Sequence, residues 1–334
     1  MRFVEIGDGA STTFSDSNAV VGSSLIYDRE FSTCFSLEKL DDTKELLADE
    51  VAKRLSRVGE ESGKPTFKFN SRPSKLAEIN REIIPLNLIA PYNYFHFLIS
   101  AAPPLLSMIE ERRVTDGNVI VTGVLHPNLS TALKIVTNGS IPVLEGRLGD
   151  AFFSRSILAI REAHWGNELV SGEMPELNFR SESILRMRER LRVLWDDASG
   201  LKLFVVRQST YRNVLNISEL ISVARRSGYK VVMPERLSFI DQVKLFSRCS
   251  HVVGPTGAWL ANLLFVPAGA RCTVLYPHTC RTKKSFWSKL GDMFGIKVED
   301  FYSSDIILNR YQPIHSNFSV SAKLFAAVLG RFDL

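Results

Sequence analysis

The sequence predicts an α/β protein built on a parallel, doubly wound sheet. Three observations carry this reading. In the second half of the chain, short β-branched runs at 201–206, 229–233, 251–253 and 272–276 recur at roughly regular spacing. Segments with helix start and stop signals lie between them. Polar residues follow the ends of the runs, where open parallel sheets bind ligands.

The stretch His251-Val-Val-Gly-Pro-Thr-Gly-Ala-Trp-Leu-Ala-Asn262 sets the pattern. A β-branched run leads into the turn 254–257. An apolar segment, 258–265, reads as a short buried helix that Pro267 and Gly269 end. Strand, glycine turn and helix start together suggest a phosphate seat made of backbone N–H groups. A tight turn in the core with no ligand is the alternative.

Around it the second half orders itself. Asn216 is expected to cap a helix reaching Ser227, with Glu219 in the capping-box position and Gly228 as the stop. Ser238 caps the next helix, with Asp241 three residues on. A helix over 182–195 carries Arg186, Arg188, Arg190 and Arg192, read as a solvated face. The tail, 318–329, starts extended and ends helical.

In the first half, 91–111 suits a buried helix, kinked or divided at Pro103-Pro104. Strands are expected at 118–122, 141–144 and 154–161. A helix over 127–137 is closed by Asn138-Gly139. Residues 1–84 are less regular. Small strands are expected near 19–27, a helix at 41–57, and a loop or linker at 60–73. Gly7 and Gly9 resemble a dinucleotide fingerprint, but Thr12 stands at the third glycine position and no helix pattern follows.

The chain has 334 residues, 45% hydrophobic and 23% charged, enough for two domains. A net charge of +5 suits an anionic ligand or membrane surface, and no zinc-finger spacing or basic-aromatic strip supports nucleic acid binding. Cys34, Cys249, Cys272 and Cys280 form no CxxC pair, so reduced thiols are expected. The first residues do not read as a signal peptide. Sequons occur at Asn128, Asn138, Asn216 and Asn317. No metal site is expected: there is no HExxH, and no Asp-x-Asp to grip a metal–diphosphate.

Arg207, the 235 position and the 254–257 turn each follow a strand, and Pro277-His278 follows the fourth. Arg207 and Arg212 could neutralise a diphosphate. Glu235 could hold a ribose or sugar hydroxyl. His96, among aromatics, is either a core histidine or a general base.

These blocks resemble glycosyltransferase family 61, the capsular polysaccharide biosynthesis glycosyltransferases. Asn93-Tyr-Phe-His96-Phe-Leu98 is similar to the family's Asn-Tyr-x-His-Trp-Leu block. Arg207, Arg212 and Leu215-Asn-Ile-Ser-Glu-Leu220 are similar to a second block. Gly254-Pro-Thr-Gly-Ala-Trp-Leu-Ala-Asn262, with Pro267-Ala-Gly269, resembles the third, Gly-Pro-His-Gly-Ala-Gly-Leu-Thr-Asn. Thr256 stands where the family has His, and Trp259 where it often has Gly.

The resemblance covers roughly residues 85–330. It implies a GT-B-like fold, two Rossmann-like domains facing a cleft: an N-terminal extension over 1–84, an acceptor-side domain over 85–180, a donor domain over 181–318, and a C-terminal helix over 319–334. It implies inverting, metal-independent transfer from a nucleotide sugar, UDP-linked by expectation, to a glycan or lipid-linked acceptor of a cell-surface polysaccharide. His96 would be the catalytic base. Arg207, Arg212, Glu235, Gly254, Thr256, Gly257, Ala258 and Asn262 would bind the donor. No cofactor is implied, the nucleotide sugar being substrate. A bacterial cytoplasmic enzyme, peripheral at the inner membrane face, is the expected setting. A nucleotide-sugar epimerase or hydrolase, or an inactive sugar-nucleotide or glycan-binding subunit, is the alternative.

Overall fold

Period-two and period-3.6 patterning of apolar residues builds two compact units, Met1–His164 with Glu182–Met187, and Trp165–Ser181 with Arg188–Leu334. They are seen in a computed structural model. It describes residues 2–6, 11–15, 19–21, 25–28, 34–36, 55–61, 64–69, 75–86, 93–147, 150–160, 164–166, 177–196, 198–209, 212–278, 286–303, 305–307 and 316–330.

In the first unit, β1 (Arg2–Ile6), β2 (Ser11–Ser15), β3 (Ile83–Pro85), β4 (Val119–Gly123), β5 (Val143–Gly146) and β6 (Ser156–Ile160) make one sheet, in the order β1-β2-β6-β3-β4-β5. β3, β4 and β5 are parallel, and β1 and β2 join antiparallel. Alternation puts Ile83, Val119, Val121 and Ile157 on one buried face. The helical stretch splits as its prolines require. A π-helix, His96–Ala101, passes into α1 (Ala102–Glu110), whose first turn holds Pro103 and Pro104. After β4 comes α2 (Pro127–Val136), closed by the left-handed Asn138 and Gly139.

A second sheet, seven-stranded and mostly antiparallel, includes Leu55–Glu61 paired with Lys64–Phe69. This corrects two readings. The expected linker over 60–73 contains a strand, because Pro65, Phe67 and Phe69 alternate with Lys64, Thr66 and Lys68. The expected helix over 41–57 ends in strand from Leu55 on, its earlier part lying outside the described residues. The Gly7–Gly9 stretch lies outside them too.

The second unit is the more regular. Helix α3 (Ser181–Arg192) straddles the boundary between units. Then come β7 (Leu201–Val205), α4 (Ile217–Arg226), β8 (Lys230–Val232), α5 (Phe239–Phe246), β9 (Cys249–Pro255), β10 (Arg271–Tyr276), α6 (Phe286–Phe294), β11 (Lys297–Tyr302) and α7 (Ala322–Gly330). The five strands are parallel, in the order β8-β7-β9-β10-β11. In chain order this is 2-1-3-4-5, a doubly wound, Rossmann-like sheet whose winding reverses between β7 and β9. One face buries Phe204, Val253 and Leu275 against Leu220 of α4 and Phe325 of α7. The sequence reading did not anticipate α6 or β11.

Caps hold as expected at α5, where Ser238 Oγ accepts the Asp241 N–H at 3.1 Å. They differ at α4. Asn216 makes no side-chain cap; its Oδ1 accepts the Val320 N–H and its Nδ2 donates to the Val320 carbonyl. The side chain thus ties the start of α4 to the strand leading into α7, a contact 104 residues away that local patterning does not reveal.

The four arginines of α3 are not one solvated face. Arg186 pairs with Glu182, Glu110 and Glu111, and Arg192 with Glu189. Arg188 is 8% exposed. It falls on the apolar stripe with Ile184, Met187 and Leu191, all buried, so it enters the core.

Tyr229, His251 and Thr273 form a hydrogen-bonded chain through the sheet. The Tyr229 hydroxyl meets His251 Nδ1 at 2.5 Å, and Nε2 meets Thr273 Oγ1 at 3.0 Å. Burial pushes the His251 pKa down to about 4, against about 6.5 for a free imidazole. Between those values the unfolded chain binds a proton that the folded one refuses. The stabilisation is therefore whole above about pH 6.5 and is lost as pH falls toward about 4, on the order of 3 kcal/mol. Urea midpoints should fall from pH 7 to pH 5, and fall less in His251→Gln. An identical fall in both proteins would remove His251 as the cause.

Candidate active site

A doubly wound sheet opens a crevice beyond its carboxyl edge where the winding reverses. Here that point lies between β7 and β9, and the residues that end these strands meet. Arg207 follows β7, and the turn 254–257 closes β9. Arg207 Nη1 donates to the Thr256 carbonyl at 2.7 Å.

Both glycines are there for space. A Cβ on Gly254 would lie 2.8 Å from Val205 Cβ and 3.0 Å from the Val205 carbonyl oxygen. Gly254 therefore lets β9 close on β7. Gly257 has φ 167° and ψ 177°, extended backbone open to any residue. A Cβ there would stand 2.5 Å from Arg207 Nη1. The bare Cα leaves room for the guanidinium to lie across the turn.

The rest of the turn is pinned from three sides. Trp259 Nε1 donates to the Pro255 carbonyl at 2.6 Å. The Thr256 N–H donates to the Leu275 carbonyl at 2.9 Å, continuing the ladder to β10. Trp287 Nε1, from α6, donates to Thr256 Oγ1 at 3.1 Å. Thr256 is 3% exposed. Its hydroxyl is a structural acceptor, and Trp287, which sequence reasoning did not single out, is its partner.

The segment after the turn departs from expectation. Ala258–Leu264 is a 3₁₀-helix of seven residues, so the sustained α-helical dipole assumed for a phosphate seat is not there. Its first intrahelical bond runs from the Leu260 N–H to the Gly257 carbonyl. The Ala258 and Trp259 amides precede that bond and have no intrahelical acceptor. At the other end Arg188 caps the helix. Nη1 donates to the Leu263 and Leu264 carbonyls at 3.2 and 2.9 Å, and Nη2 to that of Val266 at 2.8 Å. The guanidinium stands over the Trp195 and Phe294 rings, 4.9 and 4.8 Å from their centroids. Burial lowers its pKa to about 10. Its place on the buried stripe of α3 is the signal that could have found it.

The remaining expected donor residues divide. Ala258 is half-buried at the first position of the 3₁₀-helix. Asn262 is fully buried, and its Nδ2 donates to Gln242 Oε1 at 3.0 Å, which ties the helix to α5. Arg212, half-buried and at φ 57°, lies beyond β7. Glu235 is exposed in the 3₁₀ turn Pro234–Arg236, after β8 and on the other side of β7 from β9. His278, just past β10, is half-buried.

His96 opens the π-helix of the first unit. Asn93 organises that start, since its Oδ1 accepts the Phe95 N–H at 3.0 Å and its carbonyl the Phe97 N–H at 3.1 Å. The imidazole is half-buried, with the Phe95 ring edge-on at 5.6 Å. Burial lowers its pKa, which favours the neutral form that can accept a proton.

Among the described residues no three His, Cys, Asp or Glu side chains gather as a metal would require. Among them no helix is long and apolar enough to cross a membrane. The family model for Glycosyltransferase 61 matches residues 94–275. That span starts beside His96, contains Arg207 and the turn, and ends in β10. The chain belongs to glycosyltransferase family 61, and so to the enzymes that move a sugar from a donor to an acceptor. No curated protein sequence matches it.

Removing the acceptor of the Trp287 indole should unsettle the turn. Thr256→Val keeps shape and leaves a buried N–H unpaired, which costs about 1–3 kcal/mol. Denaturant titration should show that loss, and it should vanish when Trp287→Phe removes the donor as well. Equal stability of Thr256→Val and the parent protein would show that the bond contributes nothing.

Proposed function

We propose that the protein is an inverting glycosyltransferase that takes a sugar from a nucleotide-sugar donor, UDP-linked, and passes it to a glycan or lipid-linked acceptor in cell-surface polysaccharide biosynthesis. The observation that carries this is the hydrogen bond from Arg207 to the Thr256 carbonyl across Gly257, at the winding switch point of a family 61 chain. That bond fixes a cation at the crevice where doubly wound sheets hold nucleotides.

In this reading the second unit holds the donor diphosphate. A guanidinium has five N–H donors in a fixed fork. One set against the Thr256 carbonyl orients the group toward an anion beside the Ala258 and Trp259 amides. Arg212 adds positive charge on the same side. The first unit serves the acceptor. His96, held neutral by burial, takes the proton from the acceptor hydroxyl as its oxygen attacks the anomeric carbon. The bond from that carbon to the diphosphate oxygen breaks, and the configuration inverts. Charge grows on the leaving phosphate, where Arg207 stabilises it. Two Rossmann-like domains in a GT-B arrangement, with no metal needed, complete the proposal. The setting is the cytoplasmic face of a bacterial inner membrane.

Calorimetry of UDP, UDP-sugars and the other nucleoside diphosphates against the full chain tests class and donor together. One of them should bind, and none binding would sink the reading. Arg207→Ala should weaken that binding by about 1.5–3 kcal/mol, the scale of a hydrogen bond to a charged group. Gly257→Ala should weaken it also, by displacing the guanidinium, while stability changes little because the backbone is already extended. His96→Gln should lower turnover by roughly 100-fold and leave donor affinity near that of the parent. Unchanged turnover would remove His96 as the base.

A further inference from the structure

We propose that His278 supplies the imidazole that the family pattern places at position 256, by donating a hydrogen bond from Nδ1 to the donor's diphosphate. This rests on the donor reading above. Two observations lead to it.

The first is vacancy of role. Thr256 stands where family members carry His, and its hydroxyl is turned inward to accept from Trp287 Nε1. Thr256 is 3% exposed, so its side chain stays inside the fold. Arg207, the charge of Arg212 and two backbone amides remain, and none of them is an imidazole.

The second is one imidazole nitrogen without a partner. Among the described residues, His278 Nδ1 is shut off from solvent and has no hydrogen-bond partner. A buried nitrogen without a partner costs about 1–3 kcal/mol, so native proteins seldom keep one where it serves no purpose. Its place in the fold gives it a purpose. β10 is the neighbour of β9, with Pro255 opposite Leu275, and the Thr256 N–H extends the ladder to the Leu275 carbonyl. His278 follows two residues after Tyr276, the last residue of β10. It thus leaves the sheet at the same carboxyl edge as the turn, one strand over. The strand end beneath it is held on its far side as well, since the Ser303 N–H donates to the Tyr276 carbonyl at 2.8 Å. A phosphate oxygen is an acceptor-only group, and an imidazole N–H pointing at it satisfies both.

The test compares two replacements in the full-length protein. His278→Asn keeps a hydrogen-bonding amide near the place of Nδ1, whereas His278→Phe keeps a ring without one. UDP and uridine are titrated calorimetrically into each. The expected result is a UDP affinity about tenfold weaker in His278→Phe, the scale of one charge-assisted hydrogen bond. His278→Asn should stay within about threefold of the parent, and uridine affinity should not change in either. Equal losses in both variants would make His278 a packing residue and overturn the proposal, as would no loss in either. Should His278→Phe not fold, the imidazole ¹⁵N resonances of the parent protein decide: they shift on adding UDP, and unshifted resonances overturn the assignment. A parent protein that binds UDP while His278 is indifferent leaves the donor reading standing. A parent protein that binds no nucleoside diphosphate overturns both.

Discussion

A single buried cation holds the part of the second unit on which the site depends. Arg188 takes three carbonyls at the end of the Ala258–Leu264 helix, against the Trp195 and Phe294 rings and, among the described residues, without a carboxylate partner. A 3₁₀-helix has poor hydrogen-bond geometry and rarely runs as long as this one. The guanidinium compensates by gathering the carbonyls its end leaves open. Taking a charge out of water is costly, and the lowered pKa reflects that cost. Fixed in this way, the helix cannot drift, and neither can the turn it continues.

From that anchor the turn is built by exclusion. Val205 leaves no room for a Cβ at 254, and Arg207 leaves none at 257. Indole groups from the 3₁₀-helix and from α6 hold Pro255 and Thr256 in between. The outcome is a loop whose Thr256 carbonyl accepts from Arg207 and orients it. Here packing serves chemistry: each side chain that stabilises the loop also restricts where a cation can lie. The side chain at 256 is used inward, where its hydroxyl accepts from Trp287.

The first unit uses different means. Asn93 starts its helix with side chain and carbonyl together, and the stretch from His96 to Ala101 is wound as π-helix before the prolines impose α geometry. Pro103 and Pro104 have no N–H to give, so they suit the first turn of α1, where no intrahelical bond is required. His96 stands at the head of this irregular segment with the Phe95 ring against it, and burial lowers its pKa.

By itself the sequence determined the elements whose signals are local. β-branched runs placed β7, β9 and β10 within a residue or two, Gly228 ended α4, Ser238 opened α5, and the Gly254 turn stood out as the centre of the second half. The rule that open parallel sheets bind ligands at their carboxyl ends put Arg207 and the turn on one edge. Tertiary structure decided the rest, because the deciding contacts join residues far apart in the chain. Whether Arg188 faces water or carbonyls depends on what packs against its stripe 75 residues on. Asn216 abandons its cap for Val320. Thr256 turns inward only because α6 brings an indole to it. The winding order 2-1-3-4-5, which makes the ends of β7 and β9 neighbours, is a property of strand pairing, and hydrophobic periodicity carries no record of which strands will pair.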